Sequence, residues 1–181
     1  MNVLGIDPSL TATAIASSHG WTKTFGRPGK RTDTYSMRLD RINSLRADVL
    51  TAAGEAELVV MEGPSYRSAD PSVWDRAFLW WVIYSALHSE RGIPVAVAAP
   101  ALRAMYATGK GNASKNAVVD AVARRWPHIP TGGDHNVCDA IVLMAMGCDR
   151  LGHPLTPVPA THRRALDRVA WPAGFDEEPP F

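Results

Sequence analysis

Three carboxylates and one amide stand where a fold could gather them. Asp7 closes the apolar run Val3-Leu4-Gly5-Ile6, and Glu62 closes Leu58-Val59-Val60-Met61. Strands that end side by side put both acids at one sheet edge, where α/β folds often place their sites. Asp139 falls one turn inside a helix read from Asn136 to Leu151, and Asn136, three residues earlier, shares its face. Such oxygen donors suit hard divalent cations; magnesium takes one or two carboxylates along with water and phosphate oxygens. Two such ions about 4 Å apart activate a water and stabilise the leaving oxygen in phosphodiester hydrolysis. Taken singly, each acid has a plainer explanation. Asp7 before Pro8-Ser9 and Glu62 before Gly63-Pro64 fit turns, Asp139 fits a helix-dipole partner, and Asp134 fits the helix cap. Their combination points to a metal site.

The elements that must hold these residues follow from periodicity. Val3–Asp7, Thr11–Ser18 and Trp21–Phe25 read as three consecutive strands joined by tight turns, an antiparallel meander. Helical spacing runs from Met37 to about Ala53 through Leu39, Ile42, Leu45, Val49 and Leu50. Leu58–Met61 suits a central strand, Val73–Arg91 a long aromatic-rich helix, and Pro94–Ala98 a further strand. A helix follows from Ser114, its cap, to Trp126, and the last long helix carries Val137, Ala140, Ile141, Met144 and Cys148 on one face. From residue 153 the chain is Pro-rich and aperiodic, so 1–152 reads as the domain and 153–181 as an extended tail. The expected fold class is α/β: a mixed sheet, a three-strand antiparallel meander plus parallel strands, flanked by helices.

Composition narrows the function classes. The chain has 181 residues, 46% hydrophobic and 20% charged, enough for one domain with a real core. The formal net charge is +1, so nucleic acid would be held by local basic patches rather than by a bulk cationic field. No apolar run reaches 18 residues, and the first residues lack a signal-peptide pattern, so a cytoplasmic protein without a membrane partner is expected. Cys138 and Cys148 lie in one helix, about 15 Å apart at 1.5 Å per residue, too far for a disulfide.

Residues 21–50 hold seven Lys or Arg, among them Lys30 and Arg31, against three Asp. This stripe would follow phosphates with a strong salt dependence; a solvated helix face explains it equally well. Gly109-Lys110-Gly111-Asn112 would bring backbone amides and a lysine close to a phosphate. Tyr66 and Arg67 would stack on an unpaired base, although a loop tyrosine packing on its own fold is the commoner case.

Four of these segments resemble RuvC-like Holliday junction resolvases of the phage and actinobacterial type. They are Gly5-Ile-Asp7-Pro-Ser9-Leu-Thr11-Ala-Thr13, Val59-Val-Met-Glu62-Gly-Pro-Ser-Tyr66, Pro100 with Thr108-Gly-Lys-Gly111-Asn-Ala-Ser-Lys115, and Asp134-His-Asn136-Val-Cys-Asp139-Ala-Ile. They occur in the family's order and span about residues 2–152. The resemblance implies a ribonuclease H-like nuclease that cuts branched DNA with magnesium or manganese, two ions per site. Asp7, Glu62 and Asp139 would be metal ligands, and Lys115 would sit near the scissile phosphate, stabilising charge that grows in the transition state. Members often carry an acid or a histidine three residues before the last Asp. Here Asn136 offers a neutral amide oxygen instead.

The main reading is therefore a homodimeric endonuclease for four-way junctions, in a bacterial cell or a phage-infected host. The alternatives are a broader debranching or flap nuclease and a non-catalytic branched-DNA-binding relative. An actin-like kinase, another reading of the Asp7–Thr13 turn, needs two lobes and a longer chain. The run Phe78-Leu-Trp-Trp-Val-Ile-Tyr84 is apolar around the whole helix, more than one sheet can bury. It is expected to meet a second subunit, or else to lie under the chain's own tail with Trp171 and Phe175 as lids.

Overall fold

The computed structural model describes residues 1–64 and 72–175. Five strands form one sheet: β1 (Val3–Asp7), β2 (Thr13–Ser17), β3 (Thr22–Phe25), β4 (Leu58–Glu62) and β5 (Val95–Ala98), in the order β3-β2-β1-β4-β5. β1, β2 and β3 pair antiparallel, whereas β4 is parallel to both β1 and β5. The expected mixed sheet is thus present. β2 starts two residues later than its apolar pattern suggests, because the Thr13 hydroxyl donates to the Ser9 carbonyl at 2.6 Å and closes the turn.

Each face of the sheet has its own core. The helices α1 (Tyr35–Ala53) and α2 (Val73–Ser85) cover one face, where Leu4, Ile6, Ile15, Val59 and Met61 meet Ile42, Leu45, Val49, Leu79 and Ile83. α2 runs on into a π-helical turn, Ala86–Glu90, in place of the single α-helix expected to Arg91. The other face carries α3 (Pro100–Thr108), α4 (Lys115–Arg125) and α5 (His135–Arg150), which bury Val3, Ala14, Leu58, Val60 and Ala96. α5 lies directly on β1. A Cβ added to Gly5 would stand 2.0 Å from the Ala140 carbonyl oxygen and 2.4 Å from the Met144 nitrogen, so only glycine allows this approach. Gly147 does the same further along, where a Cβ would meet Val3 and Val60 within 3 Å.

Two stretches differ from the sequence expectation. α3 has no periodic stripe long enough to announce it, yet Pro100 occupies its first turn and Gly109, at φ 83°, ends it in the left-handed region. The stretch from 153 is not an extended tail as far as residue 175. It forms a helical turn at Ala160–Arg163, a 3-10 turn at Leu166–Arg168 and a bridge from Ala170 to Val97 on the free edge of β5. Ala165, Leu166 and Val169 are buried against the α5 side of the sheet. Polar contacts fix the path: Arg163 pairs with the buried Asp149, which also accepts from the Tyr106 hydroxyl at 2.9 Å, and Arg150 Nε donates to the Phe175 carbonyl at 2.7 Å. This segment therefore lies on the face opposite α2 and does not serve as its lid.

Candidate active site

Strand periodicity selects which side chains meet. Side chains alternate across a strand, so Val3, Gly5 and Asp7 point to the α5 face, as do Leu58, Val60 and Glu62. The register pairs Ile6 with Met61, which sets Asp7 beside Glu62 at the carboxyl ends of neighbouring parallel strands. The Glu62 carbonyl accepts from Trp80 Nε1 at 2.8 Å, and Gly63 N donates to the Ala98 carbonyl at 2.8 Å, so the end of β4 is held from both sides. Asp139 comes from the second turn of α5, whose start is capped by Asp134 accepting from Asn136 N at 2.7 Å. The close packing at Gly5 brings that turn down onto β1.

Between the acids lies Arg103 of α3, only 8% exposed. Its Nε donates to Glu62 Oε2 and its Nη1 to Asp139 Oδ1. Burial disfavours its charge, but Glu62 and Asp139 outweigh this and its pKa is raised. Burial pushes the Asp7 carboxyl well above the usual carboxylate range; Glu62 and Asp139 add to the rise, while Arg103 and Lys115 oppose it. Asp139 is raised to about 6, again chiefly by burial, with Arg103 opposing and Glu62 adding.

This predicts a pH dependence in chelator. An Asp139 that titrates near 3.8 unfolded and about 6 folded binds more protons in the native state between those values. Stability then falls as pH rises from about 4 to 6, by roughly 3 kcal/mol from this group. Urea unfolding at pH 4, 5, 6 and 7 should show a steeper decline for the wild type than for Asp139→Asn; equal slopes would refute it.

The donor set has the chemistry of a hard-cation site: three carboxylates gathered around a positive charge, with Glu62 and Asp139 close enough to raise Asp7. Among the described residues, no group of three or more His, Cys, Asp or Glu side chains is spaced to hold an ion as it stands. The Arg103 guanidinium is what bridges Glu62 and Asp139.

The remaining candidates fall into four groups. Lys115, at the first position of α4, is exposed and acts on both Asp7 and Asp139. Asn136 is half-buried one turn before Asp139. Lys110 and Asn112 are exposed in the loop between α3 and α4; Lys110 lines a hollow with Arg124, Arg125 and His162 rather than the cavity beside the carboxylates. Lys30 and Arg31 line a groove of about 570 Å³ with Ser9 and Thr11, next to the turn that follows Asp7, and with Arg38, Arg41 and Arg76. Tyr66 and Arg67 lie outside the described residues. One functional candidate escaped the sequence reading, Arg103. His135, next to Asn136, has a buried Nδ1 with no hydrogen-bond partner, and its ring opposes the rise of Asp139.

No protein-family model matches the chain, and no curated protein does. Solved structures do. Thermus thermophilus RuvC superposes with a TM-score of 0.60 at 19% identity, over 88% of this chain and 100% of that one. T. thermophilus RuvC in complex with a Holliday junction substrate gives 0.60 at 17%, over 88% and 99%. Among the described residues no helix is long and apolar enough to cross a membrane. The sheet order, the parallel pairing of β4 with both β1 and β5, and these superpositions agree: the chain has the ribonuclease H-like fold of RuvC.

Proposed function

We propose that the protein is a metal-dependent, structure-specific DNA endonuclease that resolves Holliday junctions as a homodimer. The observation that carries this reading is the convergence of Asp7, Glu62 and Asp139 at one end of a RuvC-like sheet, with Lys115 beside them. A neighbour of the same fold is known in complex with a Holliday junction substrate, which supports branched DNA as the ligand.

Asp7, Glu62 and Asp139 would hold magnesium or manganese, two ions per site, with Asn136 as a neutral oxygen donor. Divalent ions held there supply Lewis-acid activation of water and neutralise charge on the leaving oxygen. Lys115 would face the scissile phosphate and stabilise its developing charge. The groove of Lys30, Arg31, Arg41 and Arg76 carries the adjoining backbone phosphates, and Lys110 and Asn112 meet an outer arm. All these residues lie within 1–152, the part assigned here to nuclease function.

The test is incubation with end-labelled four-way junctions, flaps and forks, in magnesium, in manganese and in chelator. Paired nicks in opposite strands of the junction, absent in chelator and slower on flaps and forks, are expected. Equal cutting of flaps would favour a debranching nuclease. Junction binding without cleavage in either metal would make the protein a non-catalytic relative.

A further inference from the structure

Arg103 bridges two acids that the proposed function reserves for metal. Each arm of its guanidinium serves a different carboxylate, Nε on Glu62 and Nη1 on Asp139, so the side chain spans the gap between them instead of forking onto one. Asp7 also acts on it. Three acids crowded into a buried corner repel one another, and Arg103 is the buried cation that offsets them. Its helix, α3, follows directly from β5, so the sheet that positions Glu62 also positions Arg103.

We propose that Arg103 is a resident counter-cation of this carboxylate cluster, which competes with divalent metal for Glu62 and Asp139. The inference rests on reading those acids as metal ligands. A guanidinium and a doubly charged ion cannot both stay within a few ångströms of the same buried carboxylates, because their mutual repulsion at that range is strong. The ion therefore displaces the arginine. There is room for it to go: a cavity of about 700 Å³ opens beside α3, with Arg103 on its wall alongside Pro64, Pro100, Lys115 and Arg168, and none of its described lining residues is acidic. Swung into that cavity, Arg103 joins Lys115 and Arg168 in a basic surface next to the ions. Displacement of the arginine would thus exchange a closed, self-neutralised cluster for an ion-loaded site flanked by cations suited to phosphate. The device makes metal loading cost the loss of two ion pairs, and it keeps the acids together while no ion is bound.

The experiment measures metal binding and thermal unfolding of the full chain, without DNA. Manganese is titrated by calorimetry into wild type, Arg103→Met and Arg103→Lys, and each protein is melted in chelator and in manganese. Arg103→Met should bind manganese at least tenfold more tightly than wild type. It should also melt lower in chelator and gain more from the metal. Arg103→Lys keeps the charge but cannot span both acids with one fork, so it should fall between. Equal or weaker binding by Arg103→Met would overturn the proposal, leaving Arg103 as a prop that shapes the ligands. Should Arg103→Met fail to fold in chelator, Arg103→Lys must still bind more tightly than wild type; equal affinity there overturns it as well. If neither wild type nor variants bind manganese, the metal reading itself falls and the competition with it, an outcome distinct from equal binding by all three.

Discussion

Asp7→Asn should remove junction cleavage while the protein still folds and still binds the junction. The substitution keeps the shape of the side chain and deletes its charge. Asp7 stands beside Glu62 at the ends of β1 and β4, in a corner where burial and its acidic neighbours already disfavour ionisation. Losing that charge relieves repulsion, so the fold in chelator is not weakened. Metal binding, by contrast, loses an anionic ligand. Interactions of a bound ion with the reacting phosphate are worth several kcal/mol, so a loss of cleavage on the order of a thousandfold is expected. Junction affinity in chelator should stay the same or rise, because one fewer negative charge faces the phosphates. Single-turnover cleavage and gel-shift titration, run on the same junction, separate the two effects. A rate near that of wild type would remove Asp7 from the ligand set; a matching collapse of binding would make its role structural.

The site was legible to the extent that it depends on strand ends. Apolar runs stopping at Asp7 and Glu62 are a period-two signal, and the parallel register turns that signal into proximity. Asp139 followed from helical spacing, although its descent onto β1 depends on Gly5, a contact no spacing reveals. Arg103 was invisible for a different reason. Residue type does not separate a buried arginine from a solvated one, and α3 is short, with its boundaries written only in Pro100 and Gly109. The segment from 153 misled because proline-rich, aperiodic chain reads as loose. Its order comes from long-range partners instead: Asp149, Val97 and the ring of Trp171 under Arg150. The helix of α2 posed the converse problem, since an apolar circumference conceals which side faces in.

The structure answers that last question and sets up the second large effect: Trp81→Glu should split a dimer. Trp80 turns inward, with 8% of its surface exposed and its Nε1 bonded to the Glu62 carbonyl. Trp81, 60% exposed, turns outward, with Trp74 and Phe78 also exposed on α2. α1 runs alongside α2 in the same direction, tied by Arg38 to Asp75 near their starts and by Arg46 to Glu90 in the π-helical turn that follows α2. Its exposed Tyr35 and Leu39 add to the apolar surface of this layer. The described C-terminal segment, through residue 175, does not cover it, because Trp171 and Phe175 pack on the opposite face of the sheet. A monomer rarely leaves so many large aromatic side chains in water, and aromatic residues are enriched at the centres of interfaces. A second copy is the natural cover, since two equivalent strands of a four-way junction are most simply cut by two sites related by a two-fold axis. Sedimentation of the wild type at micromolar concentration should give about twice the 19.6 kDa of one chain. Trp81→Glu places an unpaired charge in the closed interface and should weaken association by at least about thirtyfold, the scale of a hot-spot tryptophan. Because Trp81 touches solvent in the single chain, the variant should melt within a degree or two of an isolated wild-type subunit. On a junction it should nick one strand without the coordinated second cut. A wild type that sediments as a monomer, both free and bound to a junction, would mean that these aromatics serve another contact and that paired cutting arises elsewhere.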